Sequence, residues 1–227
     1  MRIDVYSDMV CPWCRIGKKN LETALAEWSK DAAEPLDVEY HAFLLDPAVP
    51  PDGLPFRESM TSKFGSSSMV DAMLRRVTEA GTAAGLAFQF ERVSRMPNTL
   101  LSHRITALLP DGRRGDWIDA VQTAYFEYGR DIGSLDTLLE IAKNLGFDPD
   151  DLRERLENGD GTPEVEADLE AARAMGVTGV PFFVLNGRYA LSGAYPPEGF
   201  LDAFRKVAER ERARAQNGGR TDPPSGT

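Results

Sequence analysis

Both cysteines of this 227-residue chain lie in one short stretch, Cys11-Pro12-Trp13-Cys14. A Cys-x-x-Cys pair can hold a metal, form a disulfide or carry out thiol chemistry. A zinc site needs four ligands, commonly a second cysteine pair at a set spacing, whereas the remaining soft ligands, His41 and His103, are isolated in the sequence. We therefore predict no metal site. Two inert structural cysteines are the other alternative, and the surroundings of the pair favour redox chemistry.

The cysteine pair lies where a strand changes to a helix. Residues 2–6 alternate apolar and polar side chains, which predicts a short strand, and residues 15–30 repeat apolar residues at helical spacing. Pro12 suits the first helical turn, which puts Cys11 at or next to the N-cap and Cys14 about one turn in. Free N–H groups and the helix dipole then favour a thiolate at Cys11. Cys11 is predicted to be the exposed nucleophile, and Cys14 the partly buried resolving thiol. Lys18 and Lys19, one turn further on, are candidates for affecting the thiolate, but we expect both to be solvated surface residues.

Composition and charge limit the partners of the protein. The net charge of -10 argues against nucleic acids and anionic membranes. No apolar stretch approaches the ~20 residues that a membrane span needs. Met1-Arg2 leads directly into the strand without the pattern of a signal peptide, so we expect a cytoplasmic location. A dithiol in that compartment works against a reducing glutathione pool.

The remaining pattern divides the chain into two α/β ends and a helical middle. A second strand at 36–44 completes a strand–helix–strand unit, which predicts a parallel pair with a right-handed crossover. The sheet pattern returns with a strand at 182–185, an Asn186-Gly187 hairpin turn, a strand at 188–192 and a last helix at 198–214. Residues 87–90 are interpreted as a loop or extended stretch. Helices are predicted between the two ends at 68–85, 99–109, 116–129, 134–145, 148–157 and 162–175, the last with Thr162 as its N-cap.

These elements predict a single α/β domain interrupted by an insertion. Residues 1–50 and 176–215 are predicted to form the α/β domain, residues 51–175 an inserted helical domain, and residues 216–227 a disordered tail. The aromatic and methionine stripes of the insertion are interpreted as the core of a helical bundle.

The motifs at the two ends resemble those of a known family. The chain begins with a strand, a CPxC motif and a helix, and far along it a Val-Pro precedes a strand and an Asn-Gly hairpin. This arrangement resembles the thioredoxin fold of the DsbA-like subclass. That α/β fold carries a large α-helical insertion between strand two and the cis-proline strand. The resemblance covers residues 1–214 of the chain. Three stretches look like the FrnE-type thiol-disulfide oxidoreductases: residues 8–18, Pro97-Asn98-Thr99 with His103-Arg104, and residues 179–183.

The resemblance implies a set of site residues. Val180–Pro181 is implied to be a cis peptide facing the cysteines, with the backbone of Val180 offered to the substrate. The implied activity is exchange with protein or small-molecule disulfides and thiols, with no tightly bound cofactor and glutathione as one candidate co-substrate. Asn98, His103 and Arg104 either orient a substrate carboxylate or glutathione, or else cap a helix and bind backbone carbonyls. The oligomeric state stays open.

Three departures from related proteins matter. Trp13 stands where the periplasmic oxidant of the family has a histidine, whose charge can stabilise the thiolate, so we predict a less oxidising couple. Some FrnE-like proteins carry extra cysteines near the C-terminus, and this chain has none. The related 2-hydroxychromene-2-carboxylate isomerases and kappa-class glutathione transferases have a serine where Cys11 stands.

These relatives set the alternative functions. The first is a glutathione-dependent isomerase or transferase acting on an aromatic or polyketide-like small molecule. The second is a holdase-like binding protein that uses an apolar cleft. Cys14 favours disulfide exchange over both, because neither alternative needs a resolving thiol.

Overall fold

The computed structural model describes residues 1–31 and 35–218. Its main sheet has the strand order β2-β1-β5-β6. β1 pairs parallel to β2 and antiparallel to β5, and β5 pairs antiparallel to β6, so the predicted strand–helix–strand unit and the hairpin are confirmed. A second, two-stranded ladder joins β3 to β4. The strands are β1 Arg2–Ser7, β2 Asp37–Ala42, β3 Leu54–Pro55, β4 Arg95–Met96, β5 Phe182–Leu185 and β6 Tyr189–Ser192.

The helices divide between the sheet and the insertion. α1 and α9 lie against the sheet and against each other, while α2 to α8 form the insertion between β2 and β5. Residues 87–89 are a loop as predicted, and a short 3-10 turn, Phe90–Arg92, begins at the last residue of that predicted stretch. The helices are α1 Pro12–Asp31, α2 Phe56–Phe64, α3 Ser67–Ala83, α4 Leu100–Leu108, α5 Asp111–Phe126, α6 Leu135–Asn144, α7 Pro149–Glu157, α8 Thr162–Ala174 and α9 Pro197–Gly218.

Some predicted boundaries are wrong for identifiable reasons. α5 begins at Asp111 rather than at residue 116, because its first turn is polar and carries no apolar periodicity. Thr162 is the first residue of α8, and its predicted N-cap role belongs to Gly161. Gly161 has φ +77°, and a Cβ there would lie 2.6 Å from the carbonyl oxygen of Arg104, so the turn needs a glycine. α9 continues to Gly218, which makes the first residues of the predicted tail helical; the rest of that tail lies outside the described residues.

α1 separates two apolar cores. Its inner face supplies Leu21 and Ala24 to the core between the sheet and α9, and both side chains are fully buried. Its opposite face supplies Ile16 to the core of the inserted helices. The helix that begins at the cysteines is therefore held from both sides. No helix in the described ranges is both long and apolar enough to span a bilayer.

Candidate active site

Cys11 caps the N-terminus of α1. Its backbone carbonyl accepts hydrogen bonds from the N–H groups of Cys14 and Arg15, which is the pattern of an N-cap residue followed by Pro12 at N1. The Cys14 N–H also donates to the Cys11 Sγ at 3.3 Å. The sulfur of Cys11 is therefore the group at which the positive end of the helix dipole points.

Cys14 lies one turn inside the helix as a free thiol, like Cys11. Burial raises the pKa of Cys14 well above its usual range, and the neighbouring Cys11 sulfur and the charge of Asp8 raise it further. A backbone hydrogen bond from Asp8 acts in the opposite direction. The expected contrast in exposure is wrong, because Cys11 is 3% exposed and Cys14 2% exposed. What distinguishes the two sulfurs is their position relative to the helix N-terminus.

Val180 and Pro181 lie directly against the redox pair. The peptide bond between them is cis, and the Cys11 thiol donates to the Val180 carbonyl oxygen at 3.6 Å. Gly17 of α1 lets this wall approach closely, because a Cβ there would lie 3.0 Å from the Pro181 side chain and 3.3 Å from the ring of Phe183. An incoming disulfide that meets Cys11 therefore also meets the backbone of Val180.

Beneath the cysteines, Asp8 and His103 form a buried pair. The Asp8 carboxylate and the His103 Nε2 are 3.3 Å apart, and the two side chains are 2% and 3% exposed. The second carboxylate oxygen of Asp8 accepts the Leu45 N–H at 2.8 Å. His103 was a candidate for binding a substrate carboxylate, but its ring is directed to Asp8 inside the protein. The pair joins the loop before Cys11 to α4.

Asn98 and Arg104 make structural contacts as well. The Asn98 side chain accepts the Leu100 N–H at 2.9 Å, at the start of α4, and donates to the Val49 carbonyl oxygen at 2.7 Å. The Arg104 guanidinium donates to the backbone carbonyls of Leu156 and Asp160, at the end of α7 and in the turn that follows it. The structure thus gives both residues the capping and carbonyl-binding roles that were the alternative to substrate binding.

Trp13 carries a contact that the sequence did not suggest. Its ring is half-buried against the core of the insertion, and the guanidinium carbon of Arg76 lies 6.0 Å from the ring centroid. Arg76 comes from α3, more than sixty residues along the chain, so no local spacing links it to the motif. The structure therefore adds a cation to the surroundings of the redox pair.

Two further cations of α1 are buried and fully committed to partners. Arg15 donates to the Ala87 carbonyl oxygen at 2.8 Å, to the Thr123 hydroxyl at 3.1 Å and to Glu127. The expectation that Lys18 is a solvated residue is wrong, because it is 3% exposed. Its ammonium pairs with Asp119 at 2.6 Å and with Glu22 of its own helix. These pairs fix α1 on α5 and the segment after it, so they hold the cysteines in place relative to the insertion.

A cluster that could hold a metal lies on β1 and β2, away from the cysteines. Asp4, Glu39 and His41 bring one potential ligand atom each within 4.8 Å of one another. The Arg2 guanidinium bridges the first two carboxylates, at 2.6 Å from Asp4 and 2.8 Å from Glu39. His41 is bound by Asp4 at 3.0 Å and by Asp168 at 2.6 Å. In this cluster the Arg2 guanidinium therefore supplies the positive charge that pairs with the two carboxylates.

His41 should make the stability of the fold depend on pH. Burial lowers the pKa of His41, but the hydrogen bonds and charges of Asp168 and Asp4 outweigh it and raise that pKa overall. A raised folded-state pKa means that the contribution is complete below the unfolded value of about 6.5 and is lost as pH rises through the folded value. We expect the free energy of unfolding of wild type minus that of His41→Gln to be larger at pH 5.5 than at pH 8.5. Urea unfolding at the two pH values measures it, and an equal difference at both would contradict the assignment.

The fold and the site define a class: a thioredoxin-like α/β domain with a helical insertion and a free dithiol at a helix N-terminus, facing a cis-proline. The family model described as a DSBA-like thioredoxin domain matches residues 2–205. The chain belongs to this DsbA-like family.

Solved structures extend the comparison. A probable DsbA oxidoreductase from Streptomyces coelicolor, SCO1869, is 32% identical with a TM-score of 0.81, covering 98% of this chain and 92% of its own. A 2-hydroxychromene-2-carboxylate isomerase is 14% identical with a TM-score of 0.67, covering 97% and 100%. The cytosolic disulfide reductase DsbM from Pseudomonas aeruginosa, solved with GSH, is 19% identical with a TM-score of 0.61, covering 94% and 100%. The last two show likeness of fold alone.

Proposed function

We propose that this protein is a thiol-disulfide oxidoreductase in which Cys11 is the nucleophile and Cys14 the resolving thiol. The observation that carries the proposal is the position of the Cys11 Sγ, which accepts the Cys14 N–H at 3.3 Å and lies 3.6 Å from the Val180 carbonyl oxygen. The contact with Cys14 places the reacting sulfur at the N-terminus of α1, and the contact with Val180 places a backbone carbonyl beside it. Membership of the DsbA-like family supports the same reaction.

The proposed reaction conserves atoms and electrons. The Cys11 thiolate attacks one sulfur of a substrate disulfide, the substrate S–S bond breaks, and one thiolate leaves and takes a proton from water. Cys14 then loses its proton and attacks the Cys11 sulfur of the mixed disulfide, which releases the second substrate thiolate. The chain ends as a Cys11–Cys14 disulfide and the substrate as two thiols, and the reverse sequence oxidises a dithiol.

The alternative is a glutathione-dependent isomerase or transferase, which the likeness to the isomerase supports at the level of fold. Cys14 favours disulfide exchange, because an isomerase has no step for a resolving thiol. Glutathione is proposed as a co-substrate rather than a bound cofactor. DsbM is described as cytosolic and was solved with GSH, which agrees with a proposed cytoplasmic role.

Equilibration of the purified protein in glutathione redox buffers tests the proposal. We expect one reversible two-electron transition between dithiol and disulfide, read by alkylation of free thiols and mass spectrometry. Because Trp13 supplies no positive charge and the Arg76 guanidinium contacts the Trp13 ring rather than a cysteine sulfur, the potential should be more negative than the roughly -120 mV of DsbA. Cys14→Ser is the matched control and should lose the transition. Failure of the wild type to show it, together with full turnover of a small molecule by Cys14→Ser, would favour the isomerase.

A further inference from the structure

Arg76 differs from the other cations near the redox pair because its guanidinium contacts the ring of Trp13. The guanidinium carbon lies 6.0 Å from the centroid of the Trp13 ring, and Trp13 separates the two cysteines. Arg76 is exposed, and within residues 1–31 and 35–218 no carboxylate forms an ion pair with it. Arg15 and Lys18 of α1 are buried and paired with Glu127 and Asp119, whereas Lys19 is exposed and forms no cation–π contact with Trp13 among the described residues. Arg76, which no carboxylate of the described residues pairs with, therefore lies over the ring of Trp13, the residue that precedes Cys14 in the motif.

The contact with Trp13 leaves the hydrogen-bonding edge of Arg76 usable. An arginine over an aromatic ring uses the face of its planar guanidinium, while its N–H groups lie in the plane and can bind a carboxylate through two parallel hydrogen bonds. The ring also restricts the side chain, which lowers the entropy lost when a ligand binds. The contact with Trp13 therefore leaves Arg76 able to bind an anion.

The overall charge of the protein makes this cation more significant. A net charge of -10 repels small anions on average, so an anionic substrate needs a local positive group near the reacting sulfur. His103 and Arg104, the two side chains that the sequence suggested for this task, are bound to Asp8 and to backbone carbonyls. Arg76 is left as the exposed cation that contacts the motif itself.

We propose that Arg76 determines specificity for small disulfides that carry carboxylates, such as glutathione disulfide, by binding a substrate carboxylate while Cys11 attacks. The assignment rests on the proposed function and names the substrate class of that same site. The carboxylate is bound and not consumed, so the bonds made and broken are those of the exchange reaction described above. Arg76 is a binding residue, and it should act on the second-order rate of the first step.

Arg75 supplies a matched control. It is also an exposed arginine of α3, one position away and therefore about 100° around the helix. Its side chain lines an open groove with Arg57, Asp71 and Glu79 rather than contacting Trp13. Arg75→Gln and Arg76→Gln change the net charge of the protein equally, so a difference between them reports position and not total charge.

The test compares three disulfides of different charge in single-turnover reactions with the reduced protein: anionic glutathione disulfide, neutral hydroxyethyl disulfide and cationic cystamine. We expect Arg76→Gln to slow the reaction with glutathione disulfide about tenfold, the size of one charge-assisted hydrogen bond at a partly exposed site. The rate of Arg76→Gln with hydroxyethyl disulfide should stay within about twofold of the wild-type rate, and its rate with cystamine should not fall. Arg76→Lys should recover part of the lost rate. In about 1 M salt the difference between wild type and Arg76→Gln should become smaller, because salt screens the charge.

Each outcome bears on the assignment. Equal slowing of all three disulfides by Arg76→Gln, no slowing of any, or the same effect from Arg75→Gln would overturn it while leaving disulfide exchange intact. A wild-type protein that reduces none of the three disulfides would contradict the proposed function itself, and the assignment with it. Unchanged thermal unfolding of both variants checks that the exposed substitutions leave the fold in place.

Discussion

Cys11→Ser should reduce disulfide exchange to the rate of the uncatalysed reaction, whereas Cys14→Ser should stop the reaction after its first half. A serine hydroxyl at position 11 keeps the contacts of the helix N-cap but is not deprotonated at neutral pH, so the nucleophile is lost. In Cys14→Ser the Cys11 thiolate still attacks. No second sulfur can then release the mixed disulfide, which should accumulate to one adduct per chain.

Intact-mass spectrometry after mixing with glutathione disulfide measures both results. The adduct should be present in Cys14→Ser, absent in Cys11→Ser and transient in the wild type. Its decay in the wild type should accelerate as pH rises, because the raised pKa of Cys14 leaves little thiolate at neutral pH. An adduct that forms on Cys14 of the Cys11→Ser protein at the wild-type rate would reverse the two assigned roles.

His103→Ala should be the most destabilising single change near the site, lowering the free energy of unfolding by about 3–5 kcal/mol. The reason is that the Asp8 side chain is 2% exposed and would lose its side-chain partner while it stays buried beside Cys14. His103→Gln places an amide N–H near the position of Nε2 and should recover part of the loss. Urea unfolding monitored by circular dichroism gives the three values.

A double-mutant cycle separates the pair from its parts. If the Asp8–His103 contact carries the effect, the cost of Asp8→Asn together with His103→Ala should be less than the sum of the single costs. Additive costs would contradict the pairing. Asp8→Asn should also lower the pKa of Cys14, because it removes one of the charges that raise it. Faster decay of the mixed disulfide at neutral pH would report that change.

The parts of the site that local rules determine could be predicted from the sequence. Cys11 at the N-cap, Pro12 in the first turn and the parallel strand–helix–strand unit follow from residue preferences over a few positions and from the handedness of crossovers. The Asn186-Gly187 turn is of the same kind, with both residues at positive φ.

What the sequence could not predict depends on contacts between distant residues. Asp8 and His103 are 95 residues apart, and no spacing rule says that a helix of the insertion brings an imidazole to the loop before Cys11. The same holds for Arg76 over Trp13. The burial of Cys11 was missed because a helix N-terminus is usually exposed, whereas here the Val180–Pro181 segment covers it. The one signal for the Asp8–His103 pair in the sequence was Asp8 itself, an acidic residue three positions before Cys11.

The pairing of α1 with the insertion has a consequence for how such proteins can be taken apart. Arg15 and Lys18 are buried against the insertion, where Glu127, Asp119 and the Ala87 carbonyl bind them. If residues 51–175 were removed, Arg15 and Lys18 of α1 would lose their partners in the insertion. The apolar face of α1 around Ile16 would be exposed as well. We therefore expect that the α/β domain would not be stable without the insertion. Exchange of insertions between relatives would have to carry the matching face of α1 along with them.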